Sequence, residues 1–472
     1  MTRSPSLARS QLARVLPFAL ALLAAFLRLA WLGNLERHVV ETIAIALGAG
    51  IIYMAALYLL EHSPDTRRAF WLVLLASIAF RLALAPERPT LSDDLYRYRF
   101  DGEVQALGAN PYLVRPDDPR YAALAPRSIR QIPGHEIRTI YPPLAELVFQ
   151  AAWRLARPGP ALPKLRDGLA SGSAAFKAPF LLADLIVLLA LAWWTRRGRA
   201  RNYQLALYGW NPLVVVEFAS SGHFDALALA ATVVATMLII GPRRVVSTLL
   251  LAAGVLAKAF PAVLVPLWLV RLKWPRRGWL PVLVASGFAL LCAWPYRSAL
   301  PVVLTTFRQY RHSFRDNNAS IYWVLQRVSH SHQLALGFGA GLVAGLALWA
   351  AARRLDPARA AFLLFATIPL VAPNAYSWYF TWAVPFLALV GASRYLAPWL
   401  LLTILEFLSY EVLIDYRALG TWHFQPLFLW LTYGPFYAWL LWIALTSPGA
   451  PWPSRGQRIP ASAVPPARPS SP

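Results

Sequence analysis

The chain is poor in cysteine, methionine, lysine and charge. It has one cysteine, Cys292, three methionines, and lysine only at Lys164, Lys177, Lys258 and Lys273. A single cysteine excludes an internal disulfide and leaves no thiolate cluster for a metal. Charged residues make up 14% of the 472, where about 25% is usual. Hydrophobic residues make up 58%, against roughly 45–50% in soluble domains. Together these exclude a disordered chain and argue against an ordinary cytosolic enzyme. There is no glycine-rich phosphate loop, so no nucleotide site is read from sequence.

What is abundant is aromatic surface, with 20 Trp, 19 Tyr and 23 Phe, and a formal net charge of +23. On a soluble chain that surplus would suggest nucleic acid. On a chain this apolar, arginines gathered on the cytoplasmic side of a membrane explain it better. The composition is that of an all-α polytopic membrane protein.

Apolar runs with basic flanks order the chain. The first runs are about 15–33, 40–60 and 70–86. The first is read as an uncleaved span, because it is long and lacks a small-residue cleavage site. Arg3, Arg9, Arg14, Arg67 and Arg68 put the N-terminus inside and the end of the third span outside. A long outer loop, 87–172, follows. Within it, 141–157 reads as an amphipathic helix lying on the membrane. Leu144, Leu147, Val148, Ala151, Ala152 and Leu155 share one face; Glu146, Gln150, Arg154 and Arg157 share the other.

Further spans are expected at 174–194, 203–220 and 224–241. The stretch 245–271 has arginines at both ends, so a two-helix hairpin is expected, broken at Pro261 with Lys258-Ala259-Phe260-Pro261 at its outer tip. Spans at 279–296, 333–351, 360–375, 378–392, 396–414 and 426–446 complete about 14 membrane segments (12–14). Residues 1–446 then form one membrane domain. Residues 447–472, with eight prolines, form a disordered cytoplasmic tail. Both termini are expected in the cytoplasm.

Candidate chemistry gathers in the outer loops. Ser92 should cap a helix that Gly108 stops. On it Asp94, Tyr98 and Asp101 fall at i, i+4, i+7, and Asp93 with Arg97 at i, i+4. Acids in a first turn can simply complement the helix dipole. A pair emerging directly from a span at the membrane surface reads as functional. A second group is Trp210-Asn211-Pro212 with Ser221-Gly222-His223-Phe224-Asp225. Its turn suits a sugar hydroxyl, a phosphate or a metal, or a plain helix cap. Lys258 reads as a cation for a lipid phosphate or as a snorkelling side chain. In the outer loop 297–332, Arg297, Arg308, Arg311, His312 and Arg315 suit a lipid phosphate or pyrophosphate. Asn374 to Tyr379 form an aromatic turn, with Trp378 and Tyr379 as a substrate wall. Asp184, Glu217 and Glu406 lie inside spans. Each costs roughly 2.5–3.5 kcal/mol by insertion scales, so each should face the interior and meet an arginine such as Arg28 or Arg81.

Ser92-Asp93-Asp94-Leu95-Tyr96-Arg97-Tyr98, with Asp101-Gly102 and Gly108-Ala109-Asn110-Pro111-Tyr112, resembles the first outer loop of bacterial GT-C glycosyltransferases. The nearest group is the polyprenol-phosphate-mannose-dependent mannosyltransferases. Tyr141-Pro142-Pro143-Leu144, Asn211-Pro212, Gly222-His223-x-Asp225, Lys258-Ala259-Phe260-Pro261 and Trp378-Tyr379 follow in that group's order across roughly residues 90–390. Two positions depart from its pattern. Phe224 stands where an Asn is usual, and Tyr376-Ser377 where His-Pro is usual.

The resemblance implies a GT-C-like bundle with a large catalytic first outer loop, in the bacterial inner membrane with its active site on the outer face. It implies transfer of a sugar, mannose preferred, from a polyprenyl-phosphate donor to a glycan, lipid or protein acceptor. Asp94 would be the general base, assisted by Asp93 or Asp101. His223, Asp225, Lys258, Arg97, Tyr141, Arg311, Arg315, Trp378 and Tyr379 would contact substrate. No cofactor is read with certainty, and a divalent metal is left open. The alternative reading is a lipid-linked-sugar flippase or transporter, which would concentrate its charged sites near the bilayer midplane. The third is a non-catalytic membrane scaffold. Convergence of Asp94, Asp225 and Lys258 in one cavity would separate the scaffold from the other readings.

Overall fold

The computed structural model describes residues 5–124, 132–156, 173–313, 318–391 and 396–446. Among these the regular elements are helices, in chain order: α1 (Pro5–Leu32), α2 (Val39–Glu61), α3 (Arg67–Leu84), α4 (Asp94–Ala106), α5 (Pro143–Ala156), α6 (Ser173–Arg196), α7 (Asn202–Gly209), α8 (Pro212–Val215), α9 (Asp225–Ile239), α10 (Arg244–Ala257), α11 (Val265–Leu272), α12 (Trp279–Ala293), α13 (Leu300–Ser313), α14 (Ser320–Ser329), α15 (His332–Ala352), α16 (Pro357–Val371), α17 (Val384–Val390), α18 (Leu396–Leu405), α19 (Val412–Leu419) and α20 (Pro426–Thr446). The tail 447–472 lies outside the described residues.

Seven stretches are long and apolar enough to cross a membrane, and five shorter apolar helices accompany them. The chain is a multi-pass membrane protein. Its outer surface is apolar at helical spacing. On α6, Leu182, Ile186 and Leu189 point outward while Ala183, Asp184, Val187 and Leu188 are buried. A helix apolar on both faces packs inward on one side and meets lipid on the other.

The segment boundaries follow the expected runs, but several segments are broken. The 203–220 run splits at Asn211-Pro212 into α7, α8 and a π-helical turn, Val216–Ser220. The 378–392 run is a 3-10 turn, Ser377–Ala383, followed by the short α17. The 245–271 stretch is the expected pair of helices, interrupted at Lys258 and a 3-10 turn, Phe260–Leu264. Trp268 Nε1 donates to Ser247 Oγ at 3.2 Å and ties the two arms together. The loop expected at 297–332 instead carries α13 and α14.

Asp184 meets Arg81, as expected. Arg81 Nη2 donates to Asp184 Oδ1 at 3.0 Å, and Tyr208 donates to the same oxygen at 2.6 Å. Arg28 pairs with Glu41 instead. Among the described residues Glu217 and Glu406 meet no arginine; Glu217 faces His223, Ser377 and Tyr410.

The long first loop folds onto the bundle through α4 and α5. They cross at Gly102, where an added Cβ would sit 2.4 Å from the Phe149 carbonyl oxygen. The α5 helix packs on the bundle through its small and aromatic residues. Ala145, Phe149 and Ala152 pack inward with Glu146, while Leu155 is exposed. Glu146 is inside because partners meet it there. Thr139 Oγ1 donates to Oε1 at 2.7 Å and Gln105 Nε2 to Oε2 at 2.9 Å. Burial, and then the neighbouring Asp101 charge, push its carboxyl well above the usual range.

Candidate active site

The α4 helix begins where the chain leaves α3. Ser92 Oγ accepts the Asp94 backbone N–H at 3.3 Å, and Gly108 ends the segment at φ +85°. Asp94 is thereby set in the first turn. Its Oδ2 accepts from Tyr98, one turn along, at 2.9 Å. Tyr98 is held by stacking on Phe149, centroids 4.7 Å apart, and edge-on contact with Phe224 and Tyr141. The Asp94 side chain keeps 23% exposure.

Asp93 caps nothing with its side chain. Burial, then the Glu36 and Asp94 charges, push its carboxyl up to about 7.

Arg97 does not pair with Asp93, and it does not face the opening. It turns the other way and clamps Asp101 through Nε at 3.0 and 3.2 Å, while Nη1 donates to the Gly134 and Ile137 carbonyls. Both residues are buried. Arg97 and Asp101 thus pair with each other inside the loop, and Arg97 Nη2 is left buried without a hydrogen-bond partner among the described residues.

The turn before α9 supplies the opposite wall. Gly222 sits at φ +73°, with the Lys177 side chain where a Cβ would be. Lys177 is buried and donates to the carbonyls of Glu87, Ala219 and Ser220 at 2.7, 2.9 and 3.0 Å. It thereby ties the post-α3 loop to the π-helical turn. This places His223 beneath Asp94: His223 Nδ1 is 3.7 Å from Asp94 Oδ2. The ring stacks on Trp378, centroids 4.0 Å apart, and Trp378 stacks in turn on Tyr376.

Asp225 is wholly buried in the first turn of α9, but it does not cap the turn. Oδ1 accepts from Trp382 Nε1 and Oδ2 from Lys258 Nζ, both at 2.7 Å. Lys258 breaks α10 with extended backbone, and its side chain keeps 18% exposure. Its ammonium lies 4.7 Å from the Phe224 ring centroid, 5.2 Å from Tyr379 and 5.6 Å from Trp382. Phe224 touches both Lys258 and Tyr98, so the Asp94 and Lys258 ends belong to one patch.

Asp94, His223, Asp225 and Lys258 thus converge, framed by Tyr141, Trp378 and Tyr379. Only Asp94 and Lys258 of the four reach the surface; His223 and Asp225 have at most 1% side-chain exposure. The patch offers a carboxylate and an ammonium to whatever lies outside it. Arg297 and Arg308 are exposed elsewhere on the loop. The Arg311 side chain and Arg315 fall outside the described residues. No group of three or more His, Cys, Asp or Glu placed to hold a metal occurs among the described residues.

Sequence reading missed Trp382 and Tyr410. Their partners, Asp225 and Glu217, lie 157 and 193 residues away, so no local spacing marked them.

Residues 9–273, more than half of the chain, match the family model described as Alpha-(1->6)-mannopyranosyltransferase, N-terminal domain. No curated protein and no solved structure matches the chain.

Proposed function

Because this chain belongs to the alpha-(1->6)-mannopyranosyltransferase family, we propose that it moves mannose from a polyprenyl-phosphate donor to a hydroxyl of a glycan, lipid or protein acceptor on the outer face of a bacterial inner membrane. Membership makes it a membrane mannosyltransferase; the donor, the sidedness and the residue roles are our reading. The observation that carries it is that Phe224 touches both Tyr98, which donates to the partly exposed carboxylate of Asp94, and the partly exposed ammonium of Lys258.

Asp94 takes the proton of the acceptor hydroxyl. That oxygen then bonds to the anomeric carbon of the donor mannose. The bond from that carbon to the phosphate oxygen breaks, and its electron pair leaves with the lipid phosphate. Lys258 has three N–H donors and spends one on Asp225, so two remain for the departing charge. Tyr379, half-buried and stacked on the buried Trp382 with centroids 4.3 Å apart, stands beside that cation and suits the apolar face of a sugar ring.

The test is transfer by the purified protein in liposomes from radiolabelled polyprenyl-phosphate mannose to an oligomannoside. Wild type should transfer and Asp94→Asn should not. Transfer by folded Asp94→Asn at the wild-type rate would overturn the assignment.

A further inference from the structure

Glu217 stands on the π-helical turn Val216–Ser220, a form frequent at functional sites. The turn brings its carboxylate and its main chain to the same residue. The Glu217 carbonyl accepts the His223 backbone N–H at 3.1 Å. Its Oε2 lies 3.2 Å from His223 Nε2. Its Oε1 is fixed from the far side by Ser377 Oγ at 2.6 Å and by the Tyr410 hydroxyl. The side chain is fully buried, and among the described residues no lysine or arginine pairs with it. His223 is equally buried, and its two ring nitrogens face two carboxylates, Nε2 to Glu217 and Nδ1 to Asp94. The Trp378 stack allows the ring little rotation. A buried acid this firmly held, with no cation beside it, would be costly as mere packing.

We propose that Glu217 is a positioning residue for the transfer reaction, acting through His223 on Asp94. This rests on the reading of Asp94 as the base. Neither ring nitrogen of His223 nor Glu217 Oε2 makes a hydrogen bond among the described residues. The relay uses the tautomer with the proton on Nε2, turned to Glu217 Oε2 3.2 Å away, which leaves the Nδ1 lone pair facing Asp94 Oδ2. When Asp94 Oδ2 takes the acceptor's proton, Nδ1 receives it in turn, and Glu217 balances the imidazolium that forms. The 3.7 Å gap closes to hydrogen-bond range with substrate in place, since apo catalytic contacts are often long. The O–H electron pair of the acceptor becomes the new glycosidic bond, and the phosphate keeps the pair of the broken one. Gln at 217 reverses this logic. Its carbonyl still serves Ser377 and Tyr410, but its amide can only donate toward Nε2. The imidazole proton then sits on Nδ1, where it blocks transfer from Asp94.

The experiment compares kcat and donor KM for wild type, Glu217→Gln, His223→Gln, their double variant and Asp94→Asn, using polyprenyl-phosphate mannose and monodisperse solubilised protein. Glu217→Gln should lower kcat about 10–100-fold with donor KM unchanged within about twofold, and the double variant should be no slower than His223→Gln alone. Wild-type kcat in Glu217→Gln, a loss that multiplies with that of His223→Gln, or a change in KM alone would each overturn the proposal. If Glu217→Gln does not fold, Tyr410→Phe replaces it in the same cycle. It keeps the carboxylate and removes one of its donors, so it should lose about 2–5-fold in kcat, again only while His223 is present. An active Asp94→Asn sinks the base assignment itself. An inactive Asp94→Asn beside a fully active Glu217→Gln sinks only the relay.

Discussion

The ammonium of Lys258 lies 2.7 Å from Oδ2 of Asp225, a residue 33 positions earlier in the chain and completely buried. Trp382 occupies the other carboxylate oxygen. Asp225 is therefore an anchor that holds a partly exposed cation at the mouth of the site, and the two residues act as one unit.

Lys258→Met should weaken the donor and the fold together. It removes the cation and strands a buried carboxylate. Breaking a fully buried pair costs about 3–5 kcal/mol; with Lys258 part exposed, about 1–3 kcal/mol is expected. Lys258→Met with Asp225→Asn should recover most of the thermal stability while the donor KM stays high. Recovery of both would make Lys258 a structural cation only.

Asp94→Asn should cost about 10²–10⁴-fold in kcat if its carboxylate is the base. Asp93→Asn should cost far less, because Asp93 touches neither His223 nor Tyr98. Steady-state rates on folded protein separate the two. Equal losses would show that the pair works as a shared acid.

Asp93 also makes stability depend on pH. Its carboxyl rises from 3.8 to about 7 in the fold, through burial first and then Glu36 and Asp94. An acid whose folded value is raised binds its proton more tightly when folded. The stability it contributes is full below about pH 4 and is lost as pH climbs through 7. Asp93→Asn escapes that loss. The Tm of the variant minus that of wild type should therefore grow between about pH 4 and pH 7 and level off above it. A flat difference over that range would remove Asp93 as the titrating group.

Gly222→Ala should be worse than Gly108→Ala. Both positions have positive φ, +73° and +85°, which costs about 1–2 kcal/mol for a residue with a Cβ. Only at 222 does the new Cβ meet a side chain, the Lys177 Cγ at 2.6 Å, whereas nothing lies within 4 Å at 108. Gly222→Ala must displace Lys177 from its three carbonyls and should shift His223 as well. Thermal unfolding and transfer rate of the two variants measure the difference. Equal penalties would mean that Lys177 moves aside freely.

Much of the architecture was legible in the sequence because membrane helices obey a local rule. A run of apolar residues must hide its own backbone, and in lipid a helix does so without distant partners. The runs at 40–60, 174–194, 333–351 and 426–446 therefore appear as α2, α6, α15 and α20. The hairpin broken near Pro261 was readable for the same reason, from a ring that interrupts the ladder. Asp94 was readable too, because its position depends on Ser92 two residues away and on the end of α3.

Pairings across the chain were decided only by the tertiary structure. Arg97 had two acids at helical spacing, Asp93 and Asp101, and the pattern alone does not choose. The Gly134 and Ile137 carbonyls, 37 and 40 residues on, draw it toward Asp101. Glu146 lay on the polar face of its helix, yet Thr139 and Gln105 make the interior its better place. Glu217 stood out in the sequence only as an acid inside a span, because two of its partners are Ser377, 160 residues away, and Tyr410, 193 away. Helix formation in lipid is a property of neighbours along the chain, and sequence determines it. The partner of a buried charge is whichever donor the packed bundle brings within 3 Å, and only the fold decides that.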